Sequence, residues 1–221
     1  CMHCYAESRA KKYGKTFDGT PTWRDAADDE LRLTKSGTVL FVNSHSDTYH
    51  EDADDRGIQK IHTLAAQRQD LIFLMLTKRP ERALKLAPDL MWPDNLWLGV
   101  SVENNRRMER LKILNRIPAK HKFISFEPLL TSISDDLLHF GLIGIEWAIV
   151  GGESGEYHRP FEHAWALGIR DACQALKVPF FFRQGQGEIP NSDRLLRGER
   201  EYNEQPPEFE ALRTKYKPQA T

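Results

Sequence analysis

Cys1-Met2-His3-Cys4 sets two thiolates within reach of one metal ion or cluster, and soft sulfur ligands favour zinc or iron-sulfur centres. Two thiolates do not complete a site. His3 reads equally as a further ligand and as aromatic packing between ligands, whereas Cys173 falls on an apolar helical stripe and reads as a small core residue. Lys78-Arg79 could clamp a carboxylate or phosphate, the guanidinium acting as a two-pronged fork, or could simply open a surface helix at Pro80. Glu103 and Glu127 each follow directly on an apolar run. A charge in that position is costly unless partnered, and two neighbouring carboxylates can share a proton, bind a cationic amino group or hold a metal. Gly151-Gly152-Glu153-Ser154-Gly155 permits close backbone approach to a ligand and has the small-residue character of an anion nest.

Two further groups carry charge without a clear chemical pattern. His45, Asp47, His50, Glu51 and Asp52 have the composition of a metal site but match no recognised zinc spacing, so they read as a hydrogen-bonded helix start. Arg106, Arg107, Arg110 and Lys112 read as the solvated face of a helix, with phosphate binding as the other reading.

The elements that must position these groups are legible from hydrophobic period. Six short runs rich in Val, Ile, Phe and Leu occupy residues 39–43, 71–76, 96–102, 122–126, 147–150 and 179–182. They are continuous rather than alternating, as in strands buried on both faces. Between them lie helical stripes, Met108, Leu111, Leu114 and Ile117 in one and Trp165, Ile169, Cys173 and Leu176 in another. Alternating strands and helices predict an α/β fold with a parallel sheet and right-handed crossovers, either open and doubly wound or closed towards a (β/α) barrel. A compact polar signature follows every run: Asn43-Ser44-His45-Ser46-Asp47, Thr77-Lys78-Arg79-Pro80, Ser101-Val102-Glu103-Asn104, Glu127-Pro128, Gly151-Gly152-Glu153 and Arg183-Gln184-Gly185. Six such strand ends converging on one rim favour the barrel, whose carboxyl rim is where sites are built.

The totals set the frame. The 221 residues suit one sizeable core, read as a barrel domain over 1–190 and a polar extension over 191–221. In that extension Pro206-Pro207 precedes Phe209, Leu212 and Tyr216, a short amphipathic helix that would dock on the barrel or on a protein partner. With 31 basic and 32 acidic residues there is no global positive field of the kind that draws nucleic acid. No apolar run spans a membrane and no secretory signal is evident, so a cytoplasmic location is expected.

Several of these segments together resemble one family. They are Cys1-Met2-His3-Cys4-Tyr5-Ala6-Glu7, Asn43-Ser44-x-Ser46-Asp47-x-x-His50-Glu51, Leu76-Thr77-Lys78-Arg79-Pro80-Glu81, Trp97-Leu98-Gly99-Val100-Ser101-Val102-Glu103-Asn104, Phe126-Glu127-Pro128-Leu129-Leu130 and Val150-Gly151-Gly152-Glu153-Ser154-Gly155 with Arg159-Pro160. The resemblance is to the phage-associated, radical-SAM-like "three-Cys-motif" proteins, a family of unknown function, and it runs from Cys1 to about residue 188. It implies a full or partial barrel of the radical SAM or TIM type and a [4Fe-4S] cluster on three cysteines. One iron would stay open to bind S-adenosylmethionine, which an electron from the cluster cleaves to a 5'-deoxyadenosyl radical.

On this resemblance Cys1 and Cys4 are the cluster ligands present, and the third cysteine is expected upstream together with a first strand. The Gly151-Gly152-Glu153 motif comes later in the chain than the comparable motif of radical SAM enzymes. Arg183-Gln184-Gly185-Gln186-Gly187-Glu188 stands where relatives commonly carry a Lys-Gln-Trp-Gly-Glu segment.

The leading expectation is therefore a radical SAM-type enzyme or a fragment of one. Asn43, Ser44, Asp47, Lys78, Arg79, Ser101, Glu103, Glu127, Gly151, Gly152 and Glu153 would hold the cofactor, and Arg183 and Gln184 the substrate. The phage association suggests a nucleotide or nucleic-acid substrate. The alternative is a non-catalytic barrel that binds a ligand or partner and lacks the cluster, the extension engaging another protein. A zinc hydrolase resting on the Cys1/Cys4 pair and the His-Asp group is a third reading.

Overall fold

The computed structural model describes residues 7, 10, 14, 26–187, 193–198 and 200–216. Helix α1 (Ala26–Leu33) precedes strand β1 (Val39–Val42), and the chain then alternates through α2 (Asp55–Gln67), β2 (Ile72–Thr77) and α3 (Pro80–Leu86). It continues with β3 (Leu96–Ser101), α4 (Glu109–Leu114), β4 (His121–Phe126), α5 (Asp135–Gly141), β5 (Trp147–Gly151), α6 (His163–Leu176) and β6 (Phe180–Gln184), and closes with α7 (Pro207–Lys215). Short 3-10 turns lie at Ala87–Asp89 and Asn105–Met108.

All six strands pair in parallel and in chain order. When every crossover returns to the next neighbour with the same hand, the helices gather on one face and the sheet curls around the other. The result is an α/β half-barrel. The apolar runs expected from the sequence match the strands because both faces are covered: β3 and β5 are buried at every position.

Local signals set the helix ends. Asp54 caps α2 through a bond from Arg56 N to its carboxylate, and Pro80 occupies the first turn of α3, where a missing N–H costs nothing. Helix α6 buries Ala166, Ile169 and Cys173 along one stripe and ends at Lys177 in the left-handed region. The expected stripe from Met108 to Ile117 is only partly helical, since α4 stops at Leu114.

Two apolar clusters result. The larger joins the convex face of the sheet to the helices and contains Phe73, Met75, Leu98, Val100, Phe126, Ile169 and Cys173. The smaller lines the concave face: Ile72, Leu74, Trp97, Phe123, Trp147 and Ile149, closed by Phe209 of α7. Phe209 packs edge-on against Trp97 and Trp147, with ring centroids 5.0 and 5.3 Å away. At its far end α7 reaches the turn before β1, where Tyr216 Cβ would lie 3.3 Å from a Cβ at Gly37. Residues 202–204 pair with the outer edge of β6 through Phe182 N to Tyr202 O at 2.9 Å and Glu204 N to Phe180 O at 3.2 Å. The carboxyl-terminal segment therefore seals one sheet edge and plugs the amino-terminal end of the half-barrel, and among the described residues no comparable element covers the carboxyl rim. Among the described residues no helix is long and apolar enough to cross a membrane.

Candidate functional site

Alternation along each strand decides what reaches the concave rim. On β3 and β4 the inward series Trp97, Gly99, Ser101 and His121, Phe123, Ser125 ends in two buried serines that sit opposite one another in register. Beyond the strand ends the same faces carry charge.

Glu103, after β3, accepts Lys78 Nζ on Oε1 at 2.6 Å and Arg110 Nη1 on Oε2 at 3.0 Å, and Arg110 also donates to Ser101 O at 2.5 Å. Burial alone would raise the Glu103 carboxyl, but Lys78 and then Arg110 outweigh it and hold the group below the usual carboxylate range. Glu103 is thus a fixed anion. Glu127, after β4, accepts Ser125 Oγ at 3.1 Å and Arg183 Nη1 at 3.3 Å. The two carboxylates follow adjacent strands, as expected, and each has its own cation.

The other carboxylates of the rim act as braces. Asp47 accepts Thr77 Oγ1 at 2.7 Å, Lys78 N and Tyr49 N at 3.0 Å, and Arg79 Nη1 at 3.2 Å. It ties the loop after β1 to the end of β2 and fixes the turn from which Lys78 projects. The expected helix start at this point is not formed: residues 43–53 are turns and bends, and α2 begins at Asp55. Asn43 adopts a left-handed φ of 54° and donates to Thr48 Oγ1 at 2.8 Å. Ser44 is exposed and bonds the His45 ring. Pro80 does open α3, and the Lys78 and Arg79 side chains pair with the protein's own rim carboxylates Glu103 and Asp47.

Glu153, after β5, is 8% exposed and takes Arg159 in a bidentate pair at 2.7 and 2.9 Å. The Glu153 bond, reinforced by the nearby charge of Glu103, raises the Arg159 guanidinium above its ordinary value. Gln184 is buried and donates to Gly152 O at 3.2 Å. The glycines have steric roles. A Cβ at Gly151 would lie 2.7 Å from Glu127 Oε1, and one at Gly152 would lie 2.6 Å from Gly185 O.

The structure thus gathers Asp47, Lys78, Arg79, Ser101, Glu103, Glu127, Gly151, Gly152, Glu153, Arg183 and Gln184 at one end of the sheet. It adds Arg159, and also Arg110, which reads from sequence as part of a solvated face but is 7% exposed and points into the site. Its place in the sequence, four residues before the buried Leu114 on the same helical stripe, is the signal that marks it. Arg106 and Arg107 do lie exposed. Cys1 and Cys4 lie outside the described residues, and among the described residues no three His, Cys, Asp or Glu side chains converge as a metal site requires. The chemistry this ring offers is recognition of a small ligand carrying both positive and negative groups, by fixed charges in a concave, half-buried setting.

A family model described as "Protein of unknown function (DUF5131)" matches residues 1–208. No curated protein and no solved structure matches the chain.

Proposed function

The chain belongs to the DUF5131 family of proteins of unknown function, and from that premise we propose that its carboxyl rim binds a small zwitterionic cofactor in a radical SAM-type enzyme. The observation that carries the reading is the ring of alternating charge, Lys78–Glu103–Arg110, Glu127–Arg183 and Glu153–Arg159, at the carboxyl rim of a half-barrel whose other end is plugged by Phe209. Parallel barrels build sites at this end because the loops after the strands diverge there while the strands hold their bases rigid.

The donor set suits the amino-acid end of S-adenosylmethionine. Glu127 offers a carboxylate to an ammonium group, Lys78 and Arg79 offer N–H donors to a carboxylate, and Gly151 leaves a cradle that any side chain would fill. Asp47 holds Arg79 and the Lys78 backbone, and Glu103, itself bonded by Arg110, holds the Lys78 ammonium, so little reorganisation accompanies binding. In this reading Cys1 and Cys4 hold the cluster, as the motif resemblance implies, and a bound cluster would supply the electron for reductive cleavage of the cofactor. Glu103, held ionised between two cations, provides electrostatic anchoring and no proton. A barrel of the radical SAM type is the finer fold that accompanies this reading, and a nucleotide is the substrate class that the resemblance suggests.

The test is anaerobic reconstitution of the protein with iron and sulfide, followed by dithionite and S-adenosylmethionine. Formation of 5'-deoxyadenosine that is lost on Cys4→Ala and reduced on Glu127→Gln is the expected result. A colourless protein that takes up only zinc overturns the reading, and cofactor binding without cleavage identifies a non-catalytic binding barrel instead.

A further inference from the structure

Arg183 differs from the other rim cations in how it is held. Lys78 and Arg110 converge on Glu103, Arg159 makes a two-point pair with Glu153, and Arg79 bonds Asp47 and Glu51. Arg183 makes a single 3.3 Å hydrogen bond, to Glu127 Oε1, among the described residues, and its side chain is 50% exposed. A guanidinium has five N–H donors in a planar fork, so most of its binding capacity faces the mouth of the half-barrel unspent.

Two backbone features aim it there. The pairing of β5 with β6 runs Val150 to Phe182 and then Gly151 to Gln184, so Arg183 is the extra residue of a β-bulge. Bulges re-aim side chains and are common beside functional sites. Between Arg183 on β6 and Glu127 beyond β4 lies β5, and the two side chains meet across it at Gly151, whose missing side chain leaves the path open. Lys78, Arg79, Arg110, Arg159 and Arg183 face Asp47, Glu51, Glu103, Glu127 and Glu153, so the rim is balanced in charge and it is the open N–H donors of Arg183 that an anion would meet.

We propose that Arg183 is a substrate-binding residue that reads an oxyanion group, a carboxylate or a phosphate, and that Glu127 is its place-holder in the free protein. When the anion arrives, the guanidinium exchanges its one weak bond to Glu127 for a two-point bond to the ligand, and Glu127 keeps its bond from Ser125. The proposal rests on the rim being a ligand site but not on the cluster or on cofactor cleavage.

The test uses the chain without iron. The Arg183 Nε–H resonance, identified as the one that disappears in Arg183→Lys, is followed while sodium phosphate or sodium acetate is added, with sodium chloride at equal ionic strength as the baseline. Saturable movement with either anion is expected, and which anion acts at the lower concentration tells phosphate from carboxylate. Glu127→Gln, which removes the competing charge, should lower the half-saturating concentration by about tenfold. A resonance that moves no more than in chloride, or a half-saturation unchanged by Glu127→Gln, overturns the proposal. Because no cluster is involved, failure here leaves the deoxyadenosine experiment standing, and the reverse holds.

Discussion

The Tyr49 hydroxyl and His62 Nε2 share a 2.8 Å hydrogen bond in which both side chains are fully buried. His62 Nδ1 must donate to the Met91 carbonyl 2.6 Å away, so Nε2 is the acceptor and Tyr49 the donor. Trp92 stands edge-on to the imidazole at 4.7 Å. The pair joins the loop after β1, helix α2 and the segment before β3, directly behind the Asp47 brace.

This pair makes stability depend on pH. Burial lowers His62 to about 4, against the opposing pull of the Met91 carbonyl. Its folded value lies below its unfolded value, so the unfolded chain takes up the extra proton first. The contribution is complete above about pH 6.5 and is lost as pH falls from there towards 4, amounting to about 3 kcal/mol. Urea unfolding at pH 7.5 and 4.5 should show that loss, and His62→Gln should lose stability at pH 7.5 while flattening the difference between the two.

Replacing Glu103 tests whether the rim is an electrostatic unit. Glu103→Gln leaves Lys78 and the buried Arg110 facing each other without a counter-charge, which should cost on the order of 2–4 kcal/mol in urea unfolding. Adding Lys78→Met should recover part of the loss, because the remaining cation keeps half the space to itself. The folded Glu103 carboxyl titrates below its unfolded value, so its contribution is present above the ordinary carboxylate range and drains away as pH falls through the folded value. That acid limb should be shallower in Glu103→Gln.

The two adjacent glycines predict opposite outcomes. A Cβ at Gly151 meets the end of a movable side chain, Glu127 Oε1, so Gly151→Ala should fold with little loss of stability while displacing Glu127 and weakening ligand binding at least about tenfold. A Cβ at Gly152 meets the Gly185 backbone, which has nowhere to go, so Gly152→Ala should cost about 1–3 kcal/mol in thermal or urea unfolding. Equal behaviour of the two variants would contradict the geometry.

Phe209 is the test of the plug. Phe209→Ala should open a cavity against Trp97 and Trp147 and cost about 3–4 kcal/mol, with a red shift of tryptophan emission as water reaches the concave face. A variant as stable as the parent would show that α7 is not part of the folded unit. The free thiol of Cys173 offers an independent marker: burial pushes it up to about 12, so it should resist thiol reagents until the sheet opens.

What the sequence by itself determined is what depends on near neighbours along the chain. Continuous apolar runs became strands, Pro80 became a helix start and the strand-helix rhythm became a parallel sheet, because period and backbone geometry are local properties, whereas the strand order came from the fold. The rim was legible too, since a charge directly after a buried strand has to emerge at the strand end. Partner choice was not. Lys78 meets Glu103 across 25 positions and Arg183 meets Glu127 across 56, so those pairings depend on strand register, on a bulge and on the absent side chain of Gly151. The same holds for Arg110, drawn inward by a carboxylate on the neighbouring loop, and for Phe209, whose amphipathic helix found its apolar partner in the concave face of its own sheet. Only the folded chain brings those distant groups within the few ångströms over which hydrogen bonds and buried charges act.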